Sequence, residues 1–398
     1  MESLNRQQAV KAILYSTGEP ISIRMESGCF AVIESIAVEN KEELPIIAPG
    51  LVDLQINGYG GYDFNTLPIP EEAISEAVRK LWEQGVTSFY PTVITNSGEA
   101  IQAAMETIAR VCGQDAAAAR GVAGIHLEGP FISPHDGVRG AHNRDYVRPP
   151  DWELFSRWQE ASGGRIRIVT LSPEWPESVP FIERCVKHGI TVSIGHTSAT
   201  AEQIQAAVEA GARMSTHLGN GAHLMLPRHP NYIWEQLAQD RLWSCVIADG
   251  FHLPDQVLKV VLKVKGEQAM LVSDAVSLSG LPSGAYTTHV GGEVVLTPEG
   301  KLHLASNERI LAGSAQMLLW GIEHLTNRGL AELAEAWDMA SVRPAGFMKL
   351  SAAAGLAAGA PADFVLYRRD DERIRLEQTY KSGELVFHGS EKLQEGNR

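Results

Sequence analysis

Short apolar runs alternate with longer amphipathic stretches through most of this 398-residue chain. Eight of the runs have the length of buried strands, and several are followed by a segment with helical spacing of its apolar residues. The runs lie at 46–55, 86–91, 122–129, 167–173, 191–196, 213–218, 244–250 and 269–275. This alternation is typical of βα units around a parallel sheet, and eight units predict a (β/α)8 barrel of the TIM type.

The segments between the runs place their apolar residues on one face. In 71–84, Ile74, Val78 and Leu81 recur at the three- and four-residue spacing of an amphipathic helix. We predict further helices at 201–211, 254–264, 313–326 and 330–340. The stretch 286–305 instead carries turn residues between short apolar runs, which predicts a hairpin insertion.

Both ends of the chain differ from its middle. The first 46 residues contain short β-like runs at 12–15 and 29–38, and two more lie at 362–367 and 384–389. We therefore predict a small β-sandwich domain formed jointly by residues 1–47 and 357–398. Residues 48–356 form the barrel in this interpretation.

Composition and charge restrict the possible partners and location. The formal net charge is −14, which disfavours nucleic acid and anionic membranes as partners because both are negatively charged. No segment approaches the roughly 18 consecutive apolar residues of a membrane span, and the N-terminus has no signal-peptide pattern. The four cysteines include no CxxC pair, so we expect a cytoplasmic protein with reduced thiols.

Acidic and histidine side chains stand at the C-terminal ends of five predicted strands, where the chemistry of a (β/α)8 barrel lies. They are Glu128, His196, His217, His252 and Asp274. One carboxylate and two imidazoles form a common ligand set for a catalytic divalent metal, and Glu128, His196 and His217 supply it. Asp274 then suits a general base and acid beside the ion.

Each of these residues alone also has a structural interpretation. A histidine at a strand end is more often hydrogen-bonded within the fold than bound to metal, and a lone carboxylate there caps a helix or forms a turn. Those interpretations do not explain why the residues fall at equivalent ends of different strands. We interpret His126, which lies inside the third strand, as structural or as a support for the ligands.

Several motifs occur in a fixed order: HLEGPF (126–131), GHTSAT (195–200), THLGN (216–220), ADGFH (248–252) and SDA (273–275). Four more accompany them: PGLVDLQINGYGG (49–61), RGAHNRDYVRPPD (139–151), LAGSA (311–315) and PADF (361–364). Together they resemble the N-acetylglucosamine-6-phosphate deacetylase family of the amidohydrolase superfamily. The resemblance extends from about residue 47 to about residue 390.

The resemblance implies a metal-dependent hydrolase that removes the acetyl group from an amino-sugar 6-phosphate. It implies metal binding by Glu128, His196 and His217. It also implies catalysis by Asp274, as acid and base, and by His252, which contacts the substrate. The implied substrate-binding positions are His142, Asn220, Gly221, Arg228 and His252. Arg228 matches a phosphate-binding arginine that reaches the neighbouring subunit, so the resemblance implies a homodimer.

Three departures from the family pattern modify these expectations. Many amidohydrolases carry His-x-His on the first barrel strand, where this chain has Gln55 and Asn57. We therefore expect one divalent ion, zinc first and then iron, cobalt or manganese. The run GNG (219–221) lacks the family's bulky residue and alanine, which predicts a wider pocket or freer loop and a different sugar. The run RHPN (228–231) keeps the arginine in changed surroundings.

Two other function classes stay open from the sequence. A related amidohydrolase with the same metal site would act on another amide, such as an unphosphorylated N-acetyl hexosamine, N-acetylgalactosamine 6-phosphate or an N-acyl amino acid. A binding protein that has kept the barrel without turnover is the other class. The aspartate at 274 argues against it, because a base beside a metal-activated water serves only hydrolysis.

Overall fold

The computed structural model describes residues 9–370 and 372–389. Its strands, numbered in chain order, are β1 (Val10–Leu14), β2 (Pro20–Glu26), β3 (Cys29–Ser35), β4 (Ile46–Pro49), β5 (Leu51–Ile56), β6 (Gly58–Tyr59), β7 (Tyr62–Asp63), β8 (Val86–Ile94), β9 (Ile125–Glu128), β10 (Ile166–Leu171), β11 (Thr191–Ile194), β12 (Met214–Ser215), β13 (Trp243–Val246), β14 (Ala269–Leu271), β15 (Gly284–Thr288), β16 (Gly292–Leu296), β17 (Leu302–Leu304), β18 (Asn307–Leu311), β19 (Phe364–Asp370), β20 (Arg373–Lys381) and β21 (Glu384–His388).

The helices, numbered in the same way, are α1 (Glu71–Trp82), α2 (Gly98–Gln114), α3 (Ala116–Gly121), α4 (Trp152–Ala161), α5 (Ser178–Lys187), α6 (Ala201–Ala210), α7 (Tyr232–Ala238), α8 (Asp255–Lys265), α9 (Leu318–Asn327), α10 (Leu333–Met339) and α11 (Val342–Phe347). Short 3-10 helices occupy Arg144–Tyr146, Gly266–Gln268 and Ser351–Ala354. Each helix predicted from the sequence overlaps one of these. Across the described ranges, no helix is both long and apolar enough to cross a membrane.

Eight strands form one parallel sheet in the order β14-β13-β12-β11-β10-β9-β8-β5. Its two edges meet where the Asp274 N–H donates to the Gln55 carbonyl oxygen at 2.9 Å and Ile56 forms a parallel bridge with Ala275. The sheet therefore closes as the predicted (β/α)8 barrel. Each of the eight apolar runs in the sequence overlaps one barrel strand, so the fold class is confirmed.

Two apolar layers hold the barrel together, because successive residues of a strand face opposite sides. On β10, Ile168 packs inside the barrel while its neighbour Val169 packs outward against the helices. On β14, Met270 likewise packs inside the barrel and Leu271 packs outward. Burying one such side chain contributes roughly 1.5–3 kcal/mol. The barrel strands are thus fixed from both faces, and only their ends are available for polar chemistry.

A separate seven-stranded sheet has the order β21-β20-β19-β4-β1-β2-β3 and draws strands from both ends of the chain. The two ends join where β19 pairs with β4, with Phe364 opposite Pro49. Phe30 and Phe364 belong to its own apolar cluster. This arrangement is the one expected from the β-like runs at the termini, while the exact domain boundaries at 47 and 357 stay a prediction.

The predicted hairpin insertion is larger than its sequence pattern indicated. Strands β15 to β18 form a four-stranded antiparallel sheet from 284 to 311. The last strand, β18, is exposed along almost its whole length. It has little apolar alternation because it buries few side chains, which explains why the sequence pattern did not indicate it.

A buried ion pair joins the seven-stranded sheet to the barrel. Lys381 Nζ on β20 lies 2.7 Å from Asp363 Oδ2 and 3.1 Å from Ser88 Oγ on β8. The lysine and aspartate side chains are only 8% and 5% exposed. The other carboxylate oxygen accepts the Ser382 N–H at 2.7 Å, so every oxygen of the aspartate has a donor.

Replacing the lysine of this pair should destabilise the protein strongly. In Lys381→Met the Asp363 charge stays buried without its partner, so we expect a loss of roughly 3–5 kcal/mol, measured by urea unfolding. The control is Lys41→Met, because Lys41 pairs with Glu19 at a site where both side chains are at least half exposed. That change should cost less than about 1 kcal/mol. Equal losses in the two variants would contradict a special role for the buried pair.

Candidate metal centre

Three side chains from separate strand ends meet at the top of the barrel. Glu128 ends β9, and His196 and His217 each follow the last residue of β11 and β12 by two positions. Glu128 Oε1 lies 3.1 Å from His196 Nε2 and 3.0 Å from His217 Nε2, and the two nitrogens are 3.1 Å apart. All three residues are buried. Within the described ranges they form the single histidine, cysteine and carboxylate cluster suited to a metal ion.

The backbone at this site is strained. His196, His217 and Asp274 have φ values of +48°, +28° and +47°, in the left-handed region that non-glycine residues rarely adopt. Six non-glycine residues of the described ranges have positive φ, and these three make up half of them. Such conformations cost about 1–3 kcal/mol each and persist where surrounding contacts impose them, often at functional sites.

The protonation pattern of the cluster fits a bound cation. His196 Nδ1 lies 2.8 Å from the Val138 carbonyl oxygen, which can only accept, so Nδ1 carries the proton. In the neutral ring Nε2 then presents a lone pair to the Glu128 carboxylate, and the two repel each other unless positive charge lies between them. A divalent ion supplies that charge, and imidazole and carboxylate are ligands it prefers.

The charges of the buried groups support the same conclusion. Burial opposes ionisation of Glu128, but its close contacts with His196 and His217 hold the pKa of that carboxyl well below its usual range. Burial also disfavours the charged form of His217, yet the hydrogen bond and charge of Glu128 raise the pKa of His217 to about 9. Without a metal, a proton on His217 balances the carboxylate; a cation takes over that role when it binds.

Gln55 and Asn57 hold the two carboxylates of the site. Gln55 Nε2 donates to Glu128 Oε1 at 3.0 Å, and Asn57 Nδ2 donates to Asp274 Oδ1 at 2.7 Å. A register shift in the pairing of β5 with β8, between Asp53 and Ile56, precedes these positions, and such bulges re-aim side chains at active sites. Both amides use donor groups here, which agrees with the expectation of one ion.

Asp274 and His252 lie beside the cluster. Burial raises the pKa of Asp274 to about 6, with opposing effects from the charges of His217 and Glu128. His252 Nδ1 lies 2.7 Å from Asp249 Oδ2, and Asp249 Oδ1 accepts the His252 N–H at 2.9 Å. Asp249 therefore fixes the ring and leaves Nε2 for a ligand. Asp249 had no predicted role, although its three-residue spacing from His252 was a usable signal.

Comparison with known proteins identifies the family. A sequence model described as the amidohydrolase family matches residues 46–386. The N-acetylglucosamine-6-phosphate deacetylase of Lysinibacillus sphaericus is 31% identical over 376 residues, which cover 92% of this chain and 93% of that protein. The mouse (Mus musculus) enzyme of the same name is 34% identical over 359 residues, with coverages of 87% and 84%. The chain belongs to the N-acetylglucosamine-6-phosphate deacetylase family.

A solved structure leads to the same assignment. The N-acetylglucosamine-6-phosphate deacetylase from Thermotoga maritima superposes with a TM-score of 0.82 at 27% identity, covering 96% of this chain and 99% of that one. The likeness therefore extends over the barrel and the terminal sheet together. The resemblance inferred from the ordered motifs is confirmed at the level of family.

The remaining predicted substrate-binding residues of this deacetylase-family chain divide into two groups. His142 lies at the cluster, because its ring centroid is 4.4 Å from that of His196 and its Nδ1 is 2.8 Å from Thr95 Oγ1. Burial lowers the pKa of His142 to about 3, so it is neutral. Asn220 Nδ2 donates to the His217 carbonyl oxygen at 3.3 Å. Arg228 instead lies exposed on the loop between β12 and α7, with no ion pair to the described residues.

The two glycines that differ from the family pattern bring the loop closer to its neighbours. A Cβ at Gly221 would lie 2.7 Å from His196 Nδ1, and one at Gly219 would lie 2.9 Å from Leu253 Cδ2. Both glycines have positive φ. Side chains of His196 and Leu253 already occupy the space that a larger residue would need at these two positions. The wider pocket expected from the sequence is therefore not seen here.

His126 has a structural role inside the barrel. Its Nδ1 lies 2.9 Å from the Leu54 carbonyl oxygen and its Nε2 lies 2.7 Å from Thr170 Oγ1. Burial lowers the pKa of His126 to about 4, so the ring is neutral with both nitrogens engaged. It supports β9 two residues before Glu128, which agrees with the structural interpretation of His126 from the sequence.

The geometry predicts one divalent ion for each chain, measured by metal analysis after dialysis. His217→Ala should weaken zinc binding by at least about tenfold, because it removes one of three converging ligands. The control is His188→Ala, since His188 is exposed and its ring meets the Arg184 carbonyl oxygen and Trp152, not the cluster. Two ions per chain, or unchanged affinity in His217→Ala, would overturn this assignment.

Proposed function

We propose that this protein hydrolyses the N-acetyl group of N-acetylglucosamine 6-phosphate to release acetate and the free amino-sugar phosphate. The observation that carries the proposal is the convergence of Glu128, His196 and His217 beside Asp274, in a chain 31–34% identical to deacetylases of that name along most of their length. Water attacks the acetyl carbon, a C–O bond forms, and the C–N bond breaks.

Glu128, His196 and His217 are the residues that would hold the divalent ion. When bound, such an ion supplies a Lewis acid that polarises the acetyl carbonyl and makes water more acidic. We propose zinc, because one carboxylate and two imidazoles suit it in catalytic sites; iron, cobalt and manganese accept the same donors. The metal analysis described above distinguishes these ions.

Asp274 is the proposed base and acid. Asn57 occupies Oδ1 through its donated hydrogen bond, which leaves Oδ2 to take the proton of the attacking water. The same oxygen then delivers the proton to the nitrogen as the C–N bond breaks, so the amine leaves neutral. A carboxyl whose pKa is about 6 performs both transfers near neutral pH, because neither protonation state is strongly favoured.

His252 is the proposed contact to the acetyl group. Asp249 accepts the His252 backbone N–H through Oδ1 and the ring Nδ1–H through Oδ2, so the ring cannot turn without losing the Nδ1 bond. A polar group held in advance where negative charge develops stabilises the transition state more than the ground state. We place His142 and Asn220 along the sugar because His142 contacts the His196 ring and Asn220 bonds the His217 carbonyl oxygen.

Arg228 is the proposed phosphate contact, and it acts across a homodimer. The guanidinium is exposed and free of ion pairs in the described ranges, and a phosphate needs local positive charge in a protein of net charge −14. On the same loop Leu224 and Met225 are 95% and 88% exposed, and exposed apolar groups of this size are typical of interaction sites. Sedimentation velocity should give a dimer. A monomer at micromolar concentration would contradict the proposed contact of Arg228 across a homodimer.

We also propose that the protein works in the cytoplasm on small molecules alone. Its four cysteines are free and three of them are buried, as expected where thiols stay reduced. Cell fractionation tests the location, and recovery of the protein from the culture medium would contradict it.

Acetate release from a panel of N-acetylated compounds tests the proposed function. The expected order places N-acetylglucosamine 6-phosphate first, above N-acetylgalactosamine 6-phosphate, unphosphorylated N-acetylglucosamine and an N-acetyl amino acid. Arg228→Ala should raise KM for phosphorylated sugars alone by about tenfold or more, because it removes a charge-assisted hydrogen bond.

The control for that change is Arg241→Ala, since Arg241 is another exposed arginine and should leave KM unchanged. Asp274→Asn should abolish acetate release from every compound in the panel. Preference for an unphosphorylated amide would support the related amidohydrolase activity instead. Absence of hydrolysis from all N-acetyl hexosamines would overturn the proposed function.

The pH dependence should report the ionisation of Asp274. Since burial raises its pKa to about 6 and a bound cation lowers it, kcat/KM should fall as pH drops through about 6 or below. The hydrogen bond from Asn57 lowers this pKa, so Asn57→Ala should move the acid limb to higher pH by about one unit. Asn327→Ala, which removes an exposed amide that donates to Glu372, is the control. An acid limb that Asn57→Ala leaves in place would argue against Asp274 as the base.

A further inference from the structure

The loop after β10 carries a carboxylate that the deacetylase mechanism does not use. β10 lies between β9 and β11 in the barrel sheet, so its end stands between the strands that supply Glu128 and His196. Three residues beyond β10 lies Glu174, whose side chain is only 14% exposed. The strand itself contributes no ligand to the cluster, although this partly buried carboxylate stands at its end.

Glu174 collects four hydrogen bonds from three different loops. Its Oε1 accepts from Ser133 Oγ at 3.0 Å, and its Oε2 accepts from Ser172 Oγ at 2.7 Å. Oε2 also accepts from the Ser198 N–H at 2.9 Å and from Ser198 Oγ at 2.8 Å. Hydrogen bonds to an ionised acceptor are about twice as strong as neutral ones. The carboxylate therefore ties the loops after β9, β10 and β11 together.

These bonds hold the backbone from the His196 carbonyl to Ser198. Ser198 lies two residues after it, and the Ser133 N–H donates to the His196 carbonyl oxygen at 2.9 Å. Between them, Thr197 Oγ1 lies 2.7 Å from Ser172 Oγ. Every one of these contacts leads back to Glu174 directly or through one serine.

His196 needs such support because of its conformation. Its φ of +48° costs free energy for a residue with a Cβ and persists only where neighbouring contacts impose it. The ring is anchored separately, by Nδ1 on the Val138 carbonyl oxygen. Side chain and backbone are thus held from two directions, and Glu174 supplies the backbone part.

We propose that Glu174 is a positioning residue that keeps His196 Nε2 in line with Glu128 and His217 for metal binding. The proposal rests on the metal site of the proposed function and extends it to a loop that carries no ligand. Glu174 contacts neither substrate nor ion in this arrangement and acts through residues 196–198.

Zinc affinity of the full-length protein tests the proposal, measured by competition with a chelating dye. Loss of groups that orient metal ligands typically weakens binding by 10–100-fold, so Glu174→Ala should raise the zinc Kd by about that factor. The visible absorption band of the cobalt-substituted protein should change as well, because the position of one imidazole changes. Glu174→Gln keeps an acceptor oxygen for Ser198 and should fall between wild type and Glu174→Ala.

The matched control is Glu323→Ala. The Glu323 side chain is 11% exposed and, like Glu174, accepts a backbone N–H from a distant element, that of Ile374, but it lies away from the cluster. Glu323→Ala should lower the melting temperature and leave the zinc Kd within about twofold of wild type. If Glu174→Ala does not fold, Ser198→Ala removes one of the four bonds and should raise the zinc Kd by roughly two- to tenfold.

The outcomes separate this proposal from the proposed function. An unchanged zinc Kd and cobalt spectrum in Glu174→Ala would overturn the positioning role, whatever the activity. Equal weakening in Glu174→Ala and Glu323→Ala would also overturn it, because general destabilisation would then explain both. Zinc binding that depends on Glu174 in a protein that releases no acetate would leave this inference intact and remove the proposed function.

Discussion

A buried carboxylate in contact with two buried imidazoles is the constraint on which the rest of the site depends. Glu128, His196 and His217 bring three donor atoms within 3.1 Å of one another in a place from which water is largely excluded. Such a group is unfavourable without a positive charge among its members. The strained backbone of His196 and His217 persists because surrounding contacts impose it.

Around this cluster, three other polar residues each fix the orientation of one functional side chain. Gln55 holds Glu128, Asn57 holds Asp274, and Asp249 holds His252. The barrel makes this possible, because its apolar layers fix the strands and leave only the strand ends free to carry polar side chains. In the proposed function, the chemistry uses the strand ends and the phosphate contact uses the loop around Arg228.

Much of the fold and the ligand cluster could be predicted from the sequence, because both depend on local patterns. Because buried strands must be apolar, the apolar runs of the sequence located all eight barrel strands. Glu128, His196 and His217 lie at the ends of three of these runs. The strand β18 was missed because its residues are exposed. Glu174 was missed because it acts through serines distant in sequence, in contacts that no spacing rule reveals. The proposed contact of Arg228 with a second subunit depends on an interface that the pattern of a single chain does not specify.

The most direct test of the central claim is anomalous diffraction at the zinc edge from crystals of the zinc-loaded protein. We expect one peak per chain, bonded to the Glu128 carboxylate and to Nε2 of His196 and His217 at about 2.0–2.2 Å. A peak coordinated by other residues, a second peak beside Gln55 and Asn57, or no peak at the cluster would contradict it.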